Sequence, residues 1–271
     1  QGDWTISGDG SLDDLIDKIR IRNYGAVGLQ GIISYDAMYQ AKCEPAIILS
    51  FDDNHTSVYD IAWPILRQRN MVATAYVISD TVGNANCLTW AECVTLQNNG
   101  WINGKNSKTH TNLTTQSESE IETELTDCKD AMVANGITGN GPYHVAYPGG
   151  GWDADTLAAM ADTNMLTGRT VDQARNPALP FERPYEIPRL FDLDDGTSLA
   201  QAKTYIDEIC DDQYVACIYG HVLAESAGAT AWATSDFIEL CNYIAQKRLV
   251  TLTIEEAYQL QSGSIMVRKA R

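Results

Sequence analysis

The feature that most limits the possible folds of this chain is a regular alternation of strand-like and helix-like segments that begins at Pro45. Short apolar runs predict strands, and segments with apolar residues three or four positions apart predict helices between them. The predicted strands are residues 46–50, 72–78, 145–147, 214–219 and 249–252. The predicted helices are residues 57–70, 89–99, 153–162, 199–209 and 237–246, with one more opening at the capping-box residues Ser117 and Glu120. Such alternation is typical of an α/β fold with a parallel sheet, either open or closed into a barrel.

Length and composition predict one main globular domain. The 271 residues include 44 % hydrophobic and 20 % charged residues, which is the balance of an ordinary globular protein. The first part of the chain differs from the rest, with a short amphipathic helix predicted over residues 11–20 and a glycine-rich stretch over residues 24–31. We therefore expect an N-terminal extension (residues 1–44), a main domain (residues 45–262) and a C-terminal tail (residues 263–271).

The net charge limits the partners that this chain can bind. A charge of −17 disfavours nucleic acid and anionic membrane surfaces, because like charges repel. A neutral or cationic ligand fits better, and carbohydrate is allowed. No apolar run approaches the roughly 20 residues that a membrane-spanning helix needs, so we expect no membrane insertion.

The cysteines and the start of the chain bear on its origin. Seven cysteines show no Cys-x-x-Cys pair, so we interpret most of them as small core residues, with one disulfide possible. The chain begins at Gln1 without a methionine or a signal peptide, which indicates a processed or excised chain.

Two adjacent carboxylates, Asp52 and Asp53, follow the apolar run of residues 46–49. They therefore lie at the carboxyl end of a predicted strand, where α/β folds build their active sites. Adjacent carboxylates repel, which raises the pKa of at least one of them unless a cation is present. A bound metal ion would resolve this conflict by taking one aspartate as a ligand and leaving the other as a base. The alternative is a solvated turn.

Three further polar clusters follow the first. His110 lies in a polar loop, and Asn106 precedes it by four residues. A run of three glycines closes the segment of residues 145–151, where backbone amides can approach a ligand closely; the alternative is a simple turn. His221 lies just after the predicted strand of residues 214–219, which makes this residue a candidate general acid.

These four clusters, in this order, resemble the motifs of polysaccharide deacetylases of the NodB-homology type, which form carbohydrate esterase family 4. The family pattern is Phe-Asp-Asp-Gly, then His-Ser/Thr-x-x-His, then Arg-x-Pro-Tyr or Ala-Tyr-Pro-x-Gly, then Leu-x-x-His. The resemblance covers about residues 45–258 and extends to the segments 100–101, 113–115 and 187–189. It implies a distorted (β/α) barrel.

The resemblance also implies an activity, namely metal-dependent removal of N- or O-linked acetyl groups from a polysaccharide. In that family's mechanism, Asp52 would be the base that takes a proton from a metal-activated water. Asp53 and His110 would bind the metal, expected to be Zn²⁺ with Co²⁺ or Ni²⁺ as options. The Gly149 backbone amide would stabilise the oxyanion, and His221 would protonate the leaving group.

The resemblance further implies a set of substrate contacts. Ile218 matches the leucine that lines the pocket for the acetyl methyl group. The other residues expected at the substrate are Tyr147, Pro148, Trp152 and His55.

Two departures from the family pattern bear on the chemistry. Asn106 replaces the first histidine of the second motif, and an amide oxygen is a weaker zinc ligand than an imidazole nitrogen. The metal would then bind with Asn106 as third ligand, recruit His55 instead, or bind too weakly to act. Ala146 stands where many members carry an arginine that orients the catalytic aspartate, and either Arg169 or Arg189 would have to replace it.

Smaller departures complete the comparison. Asn54 replaces the glycine of the first motif, and asparagine tolerates positive φ better than most residues. The family's Asp-x-x-Asp-Trp motif has no convincing match, although Asp172, Asp192 and Asp194 lie in the corresponding region. His144 has no assigned chemical role, and we interpret it as structural.

Two other functions remain open at the level of sequence. The first is a carbohydrate-binding module that kept the fold and lost the metal, as Asn106 and Ala146 would allow. The second is a metal-independent amidohydrolase of the same superfamily acting on small ureides or imides. Phosphoryl transfer is disfavoured because no glycine-rich phosphate loop with a lysine is present. An acetylated polysaccharide as substrate would place the protein outside a bacterial cell, at its surface or on a phage particle.

Overall fold

The computed structural model describes residues 45–174, 179 and 181–261, and its central feature is a nine-stranded sheet in which every pairing is parallel. Its strands are β1 (Ala46–Phe51), β2 (Thr74–Val77), β3 (Ile102–Lys105), β4 (His144–Ala146), β5 (Thr167–Gln173), β6 (Ile187–Arg189), β7 (Phe191–Leu193), β8 (Val215–Gly220) and β11 (Val250–Leu252). Two short strands, β9 (Val222–Ala224) and β10 (Ala231–Ala233), pair separately. The parallel sheet expected from the alternation of segments is confirmed.

The sheet is nearly closed into a barrel. Its strand order is β6-β5-β4-β3-β2-β1-β8-β7, and β11 lies beside the first half of β1. The two outer strands of this order, β6 and β7, are separated in the chain by Leu190 alone. The Leu190 N–H donates a hydrogen bond of 2.7 Å to the carbonyl oxygen of Cys217 in β8. The chain therefore passes directly from one edge of the sheet to the other, which confirms the predicted distorted barrel.

The described part of the chain has seven α-helices, of which the first six lie between strands and the last follows β11. They are α1 (Trp63–Arg67), α2 (Trp90–Asn98), α3 (Glu118–Ala134), α4 (Ala154–Asp162), α5 (Leu199–Asp212), α6 (Thr234–Gln246) and α7 (Ile254–Gln261), and a π-helical segment, Val58–Ala62, precedes α1. The predicted capping box of Ser117 and Glu120 opens α3. The apolar stripe predicted for this helix is buried, and its members are Ile121, Leu125, Cys128 and Met132.

Side chains of the strands alternate between two apolar layers, as the period of a β-strand requires. In β1, Ile47, Leu49 and Phe51 belong to the large cluster packed against the helices. Ala46 and Ile48 belong to a second cluster on the other face. The strands are therefore covered on both faces, as parallel sheets generally are.

Several expectations lie outside the described residues. These are the N-terminal helix, the extension of residues 1–44, the tail of residues 263–271 and the state of Cys43. The six cysteines that the structure describes are all free thiols, so none of them forms a disulfide with another. Within the described ranges, no helix combines the length and the apolar character needed to span a membrane.

Candidate active site

The candidate site lies at the carboxyl edge of the barrel, where four of the predicted clusters meet. Asp52 and Asp53 follow β1, the loop of residues 106–110 follows β3, the glycine turn follows β4, and His221 follows β8. Parallel strands all end at the same edge, so the topology alone gathers segments that are distant in sequence.

Asp52 forms a buried ion pair with Arg169, which reaches it from β5. The guanidinium lies 4.3 Å from the ring centroid of Tyr219 and 5.6 Å from that of Tyr76. Ala146, the residue at the arginine position of the family pattern, is the direct neighbour of Arg169 in the β4–β5 register. The charge therefore comes from the adjacent strand at the same height in the barrel.

The other candidate arginine, Arg189, has different partners. Its guanidinium pairs with Asp192 at 3.0 Å and donates to the carbonyl oxygen of Val171 at 3.1 Å. Of the two arginines considered from the sequence, Arg169 is the one that contacts Asp52.

The environment of Asp52 favours a proton-accepting role. Burial raises the pKa of its carboxyl group above the ordinary value, and the charges of Arg169 and then His221 oppose that shift. Arg169 engages Oδ2, whereas Oδ1 is buried and has no hydrogen-bond partner among the described residues. A buried polar atom of this kind normally meets a ligand or a water molecule.

Asp53 is the centre of a cluster of polar side chains. Its Oδ1 lies 3.3 Å from Nε2 of His110 and accepts a 2.8 Å hydrogen bond from Nδ2 of Asn106. Its Oδ2 lies 3.9 Å from Nε2 of His221. Burial lowers the pKa of the nearby His55, and the Asp53 carboxylate opposes this shift. One carboxylate thus faces both histidines expected from the motifs.

Asn54 shows how the first motif tolerates the loss of its glycine. Its φ angle is 42°, and Asp53 before it has a φ of 63°. The Asn54 side-chain oxygen accepts hydrogen bonds from the Ile78 amide at 3.0 Å and the Thr81 hydroxyl at 3.2 Å. The side chain therefore ties the turn to the end of β2, which offsets the cost of its left-handed backbone.

The donor set around Asp53 fits a divalent metal ion. It offers a carboxylate, the His110 imidazole and the Asn106 amide, whose buried Oδ1 has no hydrogen-bond partner among the described residues. Rotating the Asn106 amide by half a turn would exchange this oxygen with the Nδ2 that now faces Asp53. Carboxylate, imidazole and amide together make a set richer in oxygen than two histidines and an aspartate, and such sets suit harder ions. Elsewhere in the described chain, three acidic side chains (Glu118, Glu122 and Asp162) lie close enough to share an ion, but exposed carboxylates alone indicate no site.

The glycine run after β4 forms a tight turn beside open space. Gly149 has a φ of 61°, and a Cβ added there would meet no heavy atom within 4 Å. At Gly150, with a φ of 77°, an added Cβ would lie 2.1 Å from Val171. Gly150 is therefore required by packing, whereas Gly149 borders free volume, as its predicted backbone role needs.

The residues predicted to touch substrate differ in placement. The Tyr147 side chain is 2 % exposed and its hydroxyl donates to the carbonyl oxygen of Tyr185 at 2.8 Å. Ile218 is fully buried in the large cluster against the helices. Pro148 is buried, and half-buried Trp152 donates to Asp172 at 3.3 Å. Any ligand contact of Tyr147 would therefore use its backbone, and the substrate contacts of the whole set stay predictions.

Sequence reasoning missed the two tyrosines that flank Arg169. Tyr76 and Tyr219 lie within strands β2 and β8, where aromatic residues are expected for packing alone. Only the register of the strands brings them to the guanidinium, so no local signal in the sequence could have indicated this role.

Comparisons with known proteins find one family and one fold that this chain resembles. Residues 39–168 match the family model described as polysaccharide deacetylase. YxkH of Bacillus subtilis (strain 168), whose name assigns it to the polysaccharide deacetylases, is 26 % identical over 132 residues. That match covers 48 % of this chain and 46 % of YxkH, so the chain spans about half the length of this relative.

Two solved structures show the same fold at low sequence identity. A Mycobacterium smegmatis protein assigned to the polysaccharide deacetylases has a TM-score of 0.62 at 11 % identity, covering 84 % of this chain and 96 % of its own. A family 4 carbohydrate esterase from Streptomyces lividans, in complex with acetate, has a TM-score of 0.57 at 16 % identity, covering 79 % and 96 %. Residues 39–168 therefore resemble the polysaccharide deacetylase family, and the barrel has the fold of these two solved structures.

Proposed function

We propose that this protein is a metal-dependent hydrolase that removes N- or O-linked acetyl groups from a polysaccharide or oligosaccharide. The observation that carries the proposal is the buried Asp52–Arg169 pair beside the cluster of Asp53, His110 and His221 at one edge of the barrel. The deacetylase family match supports the same chemistry.

Asp53, His110 and Asn106 would hold the metal. A divalent ion bound there would polarise the acetyl carbonyl and lower the pKa of a water molecule towards neutrality. Zinc is the expected ion, and Co²⁺ or Ni²⁺ are alternatives because amide and carboxylate oxygens accept several divalent metals.

Asp52 acts as the general base in this proposal. Its raised pKa brings the carboxylate closer to the working pH than an exposed aspartate would be, which favours proton transfer from water. Arg169 holds Oδ2 and thereby leaves Oδ1 directed away from the ion pair. The pair fixes one oxygen and frees the other for the proton.

His221 and Gly149 complete the reaction. His221, on the Asp53 side of the site, would donate a proton to the leaving nitrogen or oxygen as the acetyl bond breaks. The Gly149 backbone N–H, at a turn that borders free volume, would donate a hydrogen bond to the negative charge that develops on the acetyl oxygen.

Substrate class and location follow from this chemistry and are part of the proposal. An acetylated polysaccharide is a surface or extracellular material, so we place the protein at the exterior of a bacterium or on a phage particle. The net charge of −17 fits a neutral or partly cationic glycan better than a nucleic acid.

A second candidate function is carbohydrate binding without catalysis. The observation that favours it is the 2.8 Å hydrogen bond from the Asn106 amide to Asp53, which satisfies one carboxylate oxygen without a metal. In this case the site would bind the acetyl group and leave it intact.

The test is acetate release from acetylated oligosaccharides after treatment with a chelator, with Zn²⁺, Co²⁺ or Ni²⁺ added back. We expect release to return with metal and to fall on the order of 10²- to 10⁴-fold in Asp52→Asn. Asp60→Asn, an exposed acid outside the site, is the matched control and should keep full activity.

Two results would contradict the proposal. If the metal-loaded Asp52→Asn variant releases acetate as fast as the metal-loaded natural protein, Asp52 is not the base. If no metal restores release but Asn106→His releases acetate, the natural site has lost its activity and binding becomes the better assignment. Saccharide binding by calorimetry then tests the second candidate directly.

A further inference from the structure

A carboxylate on helix α3 holds the loop that carries the second motif. Glu124 is 7 % exposed, and its Oε2 accepts hydrogen bonds from the Lys108 amide at 3.0 Å and the Thr109 amide at 2.8 Å. Its Oε1 accepts a third bond, 2.8 Å long, from the Thr109 hydroxyl. All three donors lie between Asn106 and His110, so one acid grips the middle of the segment whose two ends face Asp53.

Contacts from outside the loop stabilise its backbone, which is left-handed at two positions. Ser107 and His110 have φ angles of 59° and 66°, a left-handed conformation that costs free energy for residues other than glycine. Within the loop, the His110 amide donates to the Ser107 hydroxyl at 3.0 Å. The Asn106 amide donates to the carbonyl oxygen of Val77 at 2.8 Å, and the Lys108 and Thr109 amides donate to Glu124. The middle of the loop is therefore held from α3.

Helix α3 also grips the strand that leads into the loop. The fully buried Lys105, the last residue of β3, donates from Nζ to the carbonyl oxygen of Leu125 at 2.8 Å. Leu125 follows Glu124 directly in the helix. Two consecutive helical residues therefore fix β3 and the loop relative to each other.

We propose that Glu124 is a positioning residue, which sets the separation of His110 from Asn106 and Asp53. The inference deepens the proposed function, and its metal-binding consequence rests on that function. A ligand loop that is held in advance gives tighter metal binding, and removal of such outer contacts typically weakens metal affinity on the order of 10- to 100-fold.

The alternative is that Glu124 stabilises the fold and has no effect on the site. A conservative variant separates the two, because glutamine keeps an acceptor oxygen for the two amides and places its NH₂ group near the Thr109 hydroxyl. Asp127 provides the matched control, since it lies on the same helix and pairs with the Lys108 side chain at 2.8 Å without touching the backbone of the loop.

The first measurement uses metal-free protein and the NMR resonances of its four histidines. We expect the His110 ring resonances to shift in Glu124→Ala and to return to the natural positions in Glu124→Gln. Asp127→Ala should leave them unchanged. Unchanged His110 resonances in a folded Glu124→Ala protein would overturn the inference, whether or not the protein is a deacetylase.

The second measurement is a Co²⁺ titration, in which the visible absorption band of the bound ion reports binding. The dissociation constant should rise on the order of 10- to 100-fold in Glu124→Ala, with an altered spectrum, and should recover in Glu124→Gln. A lower melting temperature with unchanged Co²⁺ affinity and spectrum would show a purely structural role and overturn the inference. If the natural protein binds no Co²⁺ and releases no acetate, the proposed function fails, and the His110 resonances still decide the role of Glu124.

Discussion

At the scale of single residues, the arginine that pairs with Asp52 lies on the strand next to the predicted motif position. Ala146 and Arg169 are register partners on β4 and β5, so side chains at these positions lie side by side on one face of the barrel. Position 146 carries no arginine, and the guanidinium that pairs with Asp52 belongs to Arg169, where two tyrosine rings flank it. A comparison of motifs along the chain registers the missing arginine at position 146 but does not indicate that Arg169 contacts Asp52.

This placement predicts distinct effects for the two candidate arginines. Arg169→Met removes the positive charge that opposes the raised pKa of Asp52, so the acidic limb of the kcat/KM profile for acetate release should move to higher pH. The freed carboxylate should also lose its orientation, which lowers kcat on the order of 100-fold. Arg189→Met is the control, because its guanidinium pairs with Asp192. Equal pH profiles for the two folded variants would contradict the assignment of Arg169.

Substitution of Asn106 by histidine should increase the affinity of the site for zinc. Asn106→His would replace an amide with an imidazole beside Asp53 and His110, restoring the donor set of the family pattern. We expect the dissociation constant for Zn²⁺, measured by calorimetry, to fall on the order of tenfold or more. Asn106→Ala removes the hydrogen bond to Asp53 and the third ligand together, so it should weaken binding. Zinc affinity that is the same in all three proteins would show that position 106 is not a ligand.

The sequence predicted those site residues that local patterns mark, and it missed those whose position depends on residues far along the chain. Asp52, Asp53, His110 and His221 were predictable because each follows an apolar run or stands in a motif, and parallel strands bring such ends together. Glu124 was not predictable as a loop anchor, because acids are frequent on the polar faces of helices. The interior position of the Tyr147 hydroxyl depends on Tyr185, which lies 38 residues further along the chain.

At the scale of elements, β3 shows why some strands escape detection. Its sequence, Ile-Asn-Gly-Lys, has one apolar side chain and no alternation, yet the strand is buried between β2 and β4. Each long polar side chain has a helix as partner, since Asn103 donates to the carbonyl oxygen of Cys93 at 2.9 Å and Lys105 to that of Leu125. Burial lowers the pKa of Lys105 to about 7, so this strand can carry a lysine through the core.

Short strands were missed for a different reason. Strands β6, β7, β9 and β10 have three residues each, which is too short for a period of two to be recognised. The equally short β4 and β11 were predicted from the apolar runs of residues 145–147 and 249–252. The longer helices were predicted to within a few residues, because a capping residue and several turns of apolar periodicity define them. Strand β5 has seven residues, but Val171 is its one apolar side chain, so it was missed despite its length. Clear apolar periodicity was therefore readable, whereas elements fixed by distant partners were not.

Helix α3 carries a prediction that separates stability from activity. Ser117→Ala removes the hydroxyl of the capping box that opens the helix, and loss of such a cap costs about 1 kcal/mol of unfolding free energy. The melting temperature should fall about 2–4 °C for a chain of this size, while acetate release well below that temperature stays unchanged. Ser119→Ala, in the exposed first turn, is the control. Equal melting temperatures for the two variants would mean that the cap does not stabilise α3.

At the scale of the whole molecule, the two edges of the barrel carry different groups of polar residues. The carboxyl edge holds the candidate site, whereas the amino edge holds a buried network around His144, the first residue of β4. The His144 ring lies 2.9 Å from the Thr167 hydroxyl and 2.7 Å from Glu255 at the start of α7. This contact joins β4 to a helix 111 residues away and agrees with the structural interpretation of His144.

The network predicts that acid destabilises the protein through its amino edge. Burial lowers the pKa of His144 below 6.5 in the folded state, so the unfolded chain binds a proton at a higher pH than the folded chain does. The stabilisation is thus complete above pH 6.5 and is lost as the pH falls from 6.5 towards the lower folded pKa. Within that window one such group contributes up to about 1.4 kcal/mol per pH unit.

His144→Gln tests this prediction because glutamine can bond Thr167 and Glu255 without titrating. Denaturant unfolding between pH 7 and pH 5 should show a shallower loss of stability in the variant than in the natural protein. Acetate release at neutral pH should be equal in both, since the substitution lies at the edge opposite the candidate site. Parallel stability curves for the two proteins would show that another group controls the acid response, and a shifted activity profile in the variant would show that the two edges are coupled.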